Sequence, residues 1–478
     1  MIRVSITDAD FCEHDFLSGA CPRCASDPHG GQEPPPAANR GEAMIVRAFI
    51  DAHRGKFLKV SGRWHEWDGK RWASDATSTD RVHLAVLTFC QTVVASRRFL
   101  DYDPEDRRPW LDVIAKTRNV KAVVEGLWGL SVDVGEMDAD PYLLNTPEGT
   151  LDLRTRKVRP HDPADKLTRI THGSYRPGHT GPEWAKFLRW CFGGDEATVR
   201  GLQVALGQAL RGEVTEHLFI VMHGRTRGGK GTTCRAVEHA MGDYAIGLVY
   251  DKVIGHGADR GGTEVADLRG ARLAFMQESS DAVVLDDEAI KALTGGDAIR
   301  ARDPYQRTQQ FAPSHQLVLA TNAHPQPKNG SDPAFWARIV VVPFAQSALG
   351  NEDVELSRRL QREADAVLTW LVDGYYDWLA DGMQLWEAMR RAVAKYRHGH
   401  DRIRDCFSGY PGATMRVREA WEIWAGYLRE QDGRAAKPGR PTHFAAFLEA
   451  AGYEVTEVEA ASRNRALAVT WPEWSVDD

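Results

Sequence analysis

The sequence predicts an α/β protein whose central part is a mostly parallel β-sheet that carries a phosphate-binding loop. Between residues 217 and 345, helical stretches alternate with short β-rich apolar runs, namely LFIVMHG, RLAFMQE, HQLVLATN and RIVVVPF. This alternation is typical of a sheet built from βαβ units. The first run leads into a glycine-rich turn and then a helix, in GRTRGGKGTTCRAVEHA. A strand, a glycine-rich turn and a helix in this order form the context that a P-loop requires.

The composition indicates a globular protein with several domains. Of the 478 residues, 42% are hydrophobic and 27% are charged, and a chain of this length folds into roughly two to four domains. The formal net charge of −7 argues against a protein that coats nucleic acid by bulk charge, although it leaves room for a local basic channel. Since the sequence shows no apolar run of about 18 residues and no signal-peptide pattern, we expect a cytoplasmic protein without a membrane partner.

Changes in pattern divide the chain into six predicted segments. They are a zinc-binding segment at 1–25, a linker at 26–41 that is rich in Pro and Gly, an α+β N-terminal domain at 42–181, the P-loop domain with its leading helices at 182–348, a helical segment at 349–400 and a small domain at 401–478. Within the N-terminal domain, Asp68-Gly69 between aromatic flanks predicts a hairpin turn.

The last segment has the pattern of a winged helix. REAWEIWAGYLRE and HFAAFLEAAG predict helices, and YEVTEVE and ALAVTW predict a closing hairpin. The helix at Thr442–Ala450 would then enter a DNA groove and the hairpin with Arg463 and Arg465 would follow the backbone. Lys437 and Arg440 would add phosphate contacts. A small packing domain with an ordinary charged surface explains the pattern equally well.

The glycine-rich turn predicts a nucleotide site centred on Lys230. Gly224, four further residues and then Gly229-Lys230 match the first part of GxxxxGK[ST]. In that motif the backbone N–H groups wrap the phosphates and the lysine reaches the outer ones. Gly231 stands where Ser or Thr normally supplies a Mg²⁺ ligand, so a later hydroxyl would have to replace it. The predicted ATP-binding residues are Gly224, Gly228, Gly229, Lys230, Gly231, Thr232 and Thr233.

Three polar residues at the ends of later strands are candidate catalytic residues. Glu278 follows a buried strand and would polarise the attacking water and support Mg²⁺. Asn322 follows another strand and would orient that water or sense the γ-phosphate. Arg338 precedes the fourth strand and would reach a neighbouring subunit's phosphates as an arginine finger. The ordinary alternatives are a solvated strand end for Glu278, a turn starter for Asn322 and a surface salt bridge for Arg338.

In their order along the chain, five segments resemble those of superfamily 3 helicases. They are GRTRGGKGT, FMQES, IKALTGGDAIRARD, LVLATN and AFWARIVVVPF. Within that superfamily, the segments more specifically resemble the helicase part of phage and plasmid primase-helicases. This branch is shared with poxvirus-type NTPases. It extends over about 45–345 and implies an AAA+-like motor behind an α+β helicase-associated domain.

The resemblance also implies an assembly and a role for each candidate. The motor would form a homo-oligomer, a hexameric ring with ATP between subunits and single-stranded DNA through its centre. Lys230 would bind phosphates, Glu278 would serve Mg²⁺ and water, Asn322 would be the sensor and Arg338 would act in trans.

A DNA-contacting hairpin just before the sensor strand belongs to the same resemblance. AIRARDPYQRTQQFAP has alternating polarity around a turn, and basic side chains facing a pore would track phosphates. The candidate DNA-binding residues are Lys291, Arg300, Arg302, Gln306 and Arg307. For Lys291, DNA binding and structural pairing both stay open, and a solvated surface hairpin is the alternative for the whole segment.

Two tight pairs near the start of the chain predict a zinc site. Cys12, His14, Cys21 and Cys24 provide four ligands suited to tetrahedral Zn²⁺, with His29 as a substitute. The Cys-to-His spacing is unusually short, so a tail with free thiols is the alternative. The remaining four of the seven cysteines are scattered singly, which favours reduced thiols over a disulfide framework.

Three functions follow from these observations. The first is an ATP-driven helicase of a phage, prophage or plasmid that acts on single-stranded and forked DNA. The second is an origin-binding or helicase-loading protein in which ATP is only a switch. The third, a primase-helicase, is disfavoured because only about 40 residues precede the N-terminal domain, and a separate primase or polymerase is then the expected partner. The full set of Lys230, Glu278, Asn322 and Arg338 favours the motor.

Overall fold

The protein is described here by a computed structural model. It describes residues 41–254, 263–277, 284–301, 309–322, 325–328, 332–398, 402–432, 439–450, 453–459 and 465–472. The chain forms two compact units. The first unit consists of the chain up to Asp152 together with Lys157–Ile170. The second consists of Leu153–Arg156 together with Thr171–Asp478. The finer boundaries of the six predicted segments remain predictions.

The first unit combines four helices with two small sheets. Its elements are α1 (Glu42–Ala52), β1 (Phe57–Val60), β2 (Arg63–Trp67), β3 (Trp72–Ala73), α2 (Ser78–Ala95), α3 (Pro104–Ala115), α4 (Thr117–Gly126), β4 (Ser131–Val132), β5 (Leu143–Thr146), β6 (Gly149–Asp152) and β7 (Lys157–Arg159). One sheet has the order β3-β2-β1-β4, and β5 to β7 form an antiparallel meander. A core that includes Ile45, Phe57 and Trp110 joins the helices to the first sheet.

The turn between β2 and β3 confirms the predicted hairpin. Oδ1 of Asp68 accepts hydrogen bonds from the backbone N–H groups of Lys70 and Arg71, both at 2.8 Å. Gly69 has a φ of +97°, a conformation that glycine adopts without steric cost. The two strands therefore meet in antiparallel register, with Trp67 opposite Trp72.

The second unit contains the P-loop segment. The elements up to residue 398 are α5 (Pro182–Cys191), α6 (Glu196–Gly207), β8 (Phe219–Gly224), α7 (Lys230–Met241), β9 (Ala245–Val249), α8 (Tyr250–Val253), α9 (Thr263–Ala266), β10 (Leu273–Gln277), β11 (Val284–Leu285), α10 (Asp287–Thr294), β12 (Ile299–Ala301), β13 (Gln309–Phe311), β14 (Gln316–Thr321), β15 (Gln326–Pro327), α11 (Pro333–Trp336), β16 (Ile339–Phe344), α12 (Leu356–Arg362), α13 (Ala364–Asp381) and α14 (Glu387–His398).

A five-stranded sheet lies at the centre of this unit. Its order is β16-β8-β14-β10-β9, and all four pairings are parallel. All six residues of β14 are buried, as expected where both faces of a parallel sheet are covered. The four strands predicted from apolar runs are present, and the predicted parallel sheet is confirmed. β9 is a fifth strand that the sequence analysis did not identify.

The helices α6 and α13 pack with their backbones in contact. A Cβ at Gly374 would lie 2.3 Å from the carbonyl oxygen of Gln203, and one at Gly207 would lie 2.5 Å from the backbone nitrogen of Tyr375. Only glycine permits so close an approach. No helix in the described ranges is both long and apolar enough to cross a membrane.

Residues 402–472 form a small sheet with three helices. The elements are α15 (Arg402–Phe407), β17 (Thr414–Arg416), α16 (Val417–Asp432), α17 (Phe444–Ala450), β18 (Glu454–Glu459) and β19 (Arg465–Thr470). The sheet order is β17-β19-β18, and Trp471 stacks on Phe407 with ring centroids 3.8 Å apart. The predicted helices and hairpin are present. The winged-helix assignment and its DNA contacts remain predictions, and Lys437 and Arg463 lie outside the described residues.

The described cysteines are free thiols in apolar surroundings. Cys90, Cys191, Cys234 and Cys406 form no disulfide, and burial raises the pKa of Cys90 and of Cys234 to about 12. The predicted zinc ligands Cys12, His14, Cys21 and Cys24, like His29, lie outside the described residues. Within the described ranges, no cluster of three or more His, Cys, Asp or Glu side chains could hold a metal ion.

The buried His315 makes stability depend on pH. Its Nε2 lies 3.1 Å from the carbonyl oxygen of Leu293, and burial lowers its pKa from 6.5 to about 4. Because the folded-state pKa is lowered, the stabilisation is complete above pH 6.5 and is lost as the pH falls towards 4. We predict that this residue alone lowers the free energy of unfolding by up to about 3 kcal/mol over that interval.

A His315→Gln variant provides the comparison, because its amide can donate to Leu293 but does not titrate. Urea unfolding at several pH values between 4 and 7 should give a shallower pH dependence for the variant than for the original protein. Parallel curves for the two proteins would contradict the assignment.

Candidate nucleotide-binding site

The carboxyl ends of three neighbouring strands bring the predicted nucleotide-binding residues to one edge of the sheet. β8 ends at Gly224, the adjacent β14 leads to Asn322, and β10 ends at Gln277 on the far side of β14. Ligands of open α/β sheets bind at this edge. Glu278 follows Gln277 directly but lies outside the described residues, so its catalytic role remains a prediction.

Glycines determine the path of the loop between β8 and α7. Gly229 has a φ of +100°, and a Cβ there would lie 2.4 Å from Sγ of Cys191. At Gly228 a Cβ would lie 2.8 Å from the carbonyl oxygens of Arg225 and Gln346. α7 begins directly after this loop, at Lys230. The N–H groups of its first turn lack helical acceptors and favour an anionic ligand.

Lys230 is the centre of the site. Its side chain is buried, with 7% of the residue's surface exposed. Nζ donates hydrogen bonds to the carbonyl oxygens of Gly224 at 2.7 Å and Arg225 at 2.9 Å, and to Oδ1 of Asn322 at 2.9 Å. Two residues that the sequence analysis assigned to one site, 92 positions apart, are therefore in direct contact.

His223 is a residue of this edge that the sequence analysis missed. It precedes Gly224 in β8, and its pKa is lowered, first by burial and then by the positive charge of Lys230. A hydrogen bond to the backbone of Asn322 acts in the opposite direction. The imidazole therefore lies beside both Lys230 and Asn322 as a neutral group. The sequence feature that could have identified His223 is its position directly before Gly224, the first glycine of the predicted P-loop.

The two hydroxyls after Gly231 are in different surroundings. Thr233 is fully buried, and its Oγ1 donates to the carbonyl oxygen of Gly229 at 3.1 Å. Thr232 is partly exposed, and its Oγ1 accepts a hydrogen bond from Arg235 at 3.2 Å. Of the two residues, Thr232 is the one that is partly exposed and therefore more accessible to a ligand.

Arg338 lies at the opposite edge of the sheet from Lys230. It precedes Ile339, which pairs with Phe219 at the start of β8, whereas the loop follows Gly224 at the end of β8. Five residues of strand correspond to about 17 Å. The guanidinium donates from Nη1 to the carbonyl oxygen of Ala334 at 2.6 Å. Arg338 is thus distant from the P-loop of its own chain.

The candidate DNA-binding residues are only partly described. β12 and β13 pair in antiparallel fashion, with Arg300 opposite Gln310, and Arg300 is exposed. Arg302, Gln306 and Arg307 lie outside the described residues. Lys291 forms an ion pair with Asp332 at 2.5 Å, which favours the structural one of the two roles left open for it.

Parts of the chain are similar in sequence to a protein family and to viral proteins that are named as helicases. Residues 43–193 match the family model described as "D5 N terminal like". A helicase-named protein of Acanthamoeba polyphaga mimivirus is 25% identical over 235 residues, which cover 48% of this chain and 24% of that protein. A helicase-named protein of Frog virus 3 (isolate Goorha) is 27% identical over 195 residues, which cover 37% of this chain and 20% of that protein. The chain thus matches between a fifth and a quarter of the length of these relatives.

Solved structures of the C-terminal region of NrS-1 are also similar. The apo structure covers 66% of this chain and 87% of its own length, with a TM-score of 0.38 and 11% identity. The A form apo structure of the same region covers 63% of this chain and 85% of its own length, with a TM-score of 0.37 and 10% identity.

Gly229 of the loop and Gly231 in the first turn of α7 should respond oppositely to alanine. Gly229→Ala combines a left-handed φ with a Cβ placed 2.4 Å from Cys191, so we expect a loss of about 1–3 kcal/mol in the free energy of unfolding and loss of ATP binding. In Gly231→Ala, the added Cβ would have only Nη1 of Arg235 within 4 Å, at 3.4 Å. We therefore expect this substitution to preserve stability or raise it by up to about 1 kcal/mol. Chemical unfolding and binding of a fluorescent ATP analogue test both. Equal effects of the two substitutions would show that the loop geometry is wrong.

Proposed function

Because the chain is related to the D5-like superfamily 3 primase-helicases, we propose that it is an ATP-driven DNA helicase of a phage, prophage or plasmid replication system. The observation that carries the proposal is the hydrogen bond between Lys230 and Asn322 at the carboxyl edge of the sheet. It joins the residue expected to bind phosphate to the residue expected to sense it. An AAA+-like motor needs both groups at one nucleotide.

The proposed chemistry is hydrolysis of ATP. The first turn of α7 and the ammonium of Lys230 bind the phosphates, and Thr232 supplies a hydroxyl for Mg²⁺. When bound, Mg²⁺ neutralises the charge that develops on the transferred phosphoryl group. Glu278 activates the attacking water, and Asn322 orients it. His223, which lies beside Lys230 and Asn322, stays neutral and adds no charge to the site.

The proposed assembly is a ring in which Arg338 acts on the neighbouring subunit's ATP. The position of Arg338 at the amino edge of the sheet supports action in trans, since its own P-loop lies at the other edge. A hexamer with single-stranded DNA in its centre would bring Arg300 and the β12–β13 hairpin to the strand. A separate primase or polymerase would work with this ring, and Zn²⁺ at Cys12, His14, Cys21 and Cys24 belongs to the same proposal.

The alternative is an ATP-switched origin-binding or helicase-loading protein without processive unwinding. Both functions need ATP, but only the helicase needs repeated hydrolysis. A forked-DNA unwinding assay with and without ATP separates them.

Loss of the Lys230 ammonium tests the helicase directly. We predict that Lys230→Ala abolishes ATP turnover and forked-DNA unwinding, since one missing phosphate contact in a buried site removes several kcal/mol of transition-state stabilisation. Lys186→Ala on the exposed surface of α5 is the matched control and should unwind normally. Strand separation that persists in the Lys230 variant would eliminate the helicase assignment.

Mixed assemblies test the trans action of Arg338. Subunits with Arg338→Ala retain an intact P-loop, and subunits with Lys230→Ala retain an intact arginine. Each variant alone should be inactive, whereas a mixture should regain ATPase activity at interfaces that combine the two intact halves. If no mixing ratio restores turnover, Arg338 does not act between subunits.

A further inference from the structure

The helix that precedes Arg338 is held by an ion pair from another element. α11 is only four residues long, too short to be stable without outside contacts. Asp332 caps it, because its Oδ1 accepts from the backbone N–H of Ala334 at 2.9 Å. The other carboxylate oxygen of Asp332 accepts from Nζ of Lys291 on α10 at 2.5 Å.

The ion pair is partly shielded from water. The side chains of Lys291 and Asp332 are 34% and 21% exposed. The pKa of Asp332 is lowered because the bonds from Lys291 and from the first turn of α11 outweigh the opposing effect of burial. The carboxylate is therefore charged at neutral pH, as an ion pair with Lys291 requires.

Ala334 connects this ion pair to the guanidinium. Its N–H is bound by Asp332, and its carbonyl oxygen accepts from Nη1 of Arg338 at 2.6 Å. The last two residues of α11, Phe335 and Trp336, are buried in the core that also includes residues of the central sheet. Apolar packing thus holds the helix against the core, while the ion pair of Lys291 with Asp332 contacts the cap of its first turn, to which Ala334 belongs.

From this chain of contacts, we propose that Lys291 is a positioning residue for Arg338 and not a DNA contact. The inference rests on the proposed function, in which Arg338 acts on the ATP of the neighbouring subunit. Without the ammonium, α11 loses its fixed first turn and Arg338 its fixed carbonyl partner. A displacement of about 1 Å at a catalytic group lowers rates by as much as a hundredfold.

The first test follows the placement of α11 itself. Hydrogen–deuterium exchange of the peptide that contains residues 333–338 should be faster in Lys291→Met than in the original protein. Asp332→Asn, which keeps a capping oxygen but loses the charge, should show the same increase. Lys291→Arg should restore slow exchange. If exchange in Lys291→Met stays unchanged, the proposal is overturned, whatever the fate of the proposed function.

The second test asks which subunit needs Lys291. Lys291→Met is placed either in the Lys230→Ala subunit, which donates the arginine, or in the Arg338→Ala subunit, which binds ATP. We expect the restored ATPase activity to fall on the order of tenfold in the first mixture and to stay unchanged in the second. A loss confined to the second mixture would overturn the proposal.

DNA binding supplies the third readout. Affinity for single-stranded DNA without nucleotide should be the same for Lys291→Met and the original protein, and Arg300→Ala is the comparison expected to weaken it. A matching loss of affinity in Lys291→Met would make the residue a DNA contact and refute the positioning role. If the unmodified mixture of Arg338→Ala and Lys230→Ala subunits is inactive, trans action fails, while the exchange experiment still decides whether Lys291 places α11.

Discussion

The buried ammonium of Lys230 is the group on which the nucleotide edge of the sheet depends. A charge removed from water costs several kcal/mol unless hydrogen-bond partners replace the water. Here three oxygens replace it, from Gly224, Arg225 and Asn322. They belong to the end of β8, the loop and the segment that follows β14. Burial of this one charge therefore links the junction of β8 and the loop to the segment that follows β14.

Because of these three hydrogen bonds, the ammonium of Lys230 would have to exchange a present partner to bind a phosphate. A phosphate oxygen and the three present acceptors all need the ammonium protons, and Nζ has only three to donate. In the proposed helicase, a phosphate therefore displaces at least one of them. If Asn322 is displaced, its amide oxygen can accept a hydrogen bond from a water molecule. In the proposed helicase, such a change of partner at Asn322 on phosphate binding would be the basis of its sensing role.

Sequence patterns predicted what depends on local periodicity and missed what depends on long-range contacts. The strands β8, β10, β14 and β16 are continuous apolar runs, which both faces of a covered parallel sheet require. β9 has the sequence AIGLV, and it is short, contains a glycine and is partly exposed, so its pattern is weak. The order of motifs assigned Lys230 and Asn322 to one site but did not predict their direct hydrogen bond. The pairing of Lys291 with Asp332 joins positions 41 residues apart, and no local pattern distinguishes it from a DNA contact.

The polarity of the parallel sheet has a consequence for how such a motor can work. Strands that run in one direction place Gly224 and the P-loop at one edge and Arg338 at the other. A rigid sheet cannot bring the two edges together, since its register is fixed along buried strands. In a motor that uses both groups on one nucleotide, the second group must come from another copy of the chain. Under the proposed function, such a motor would therefore work between copies of the chain, and α11, which directly precedes Arg338, is the element that would present it to a neighbouring subunit.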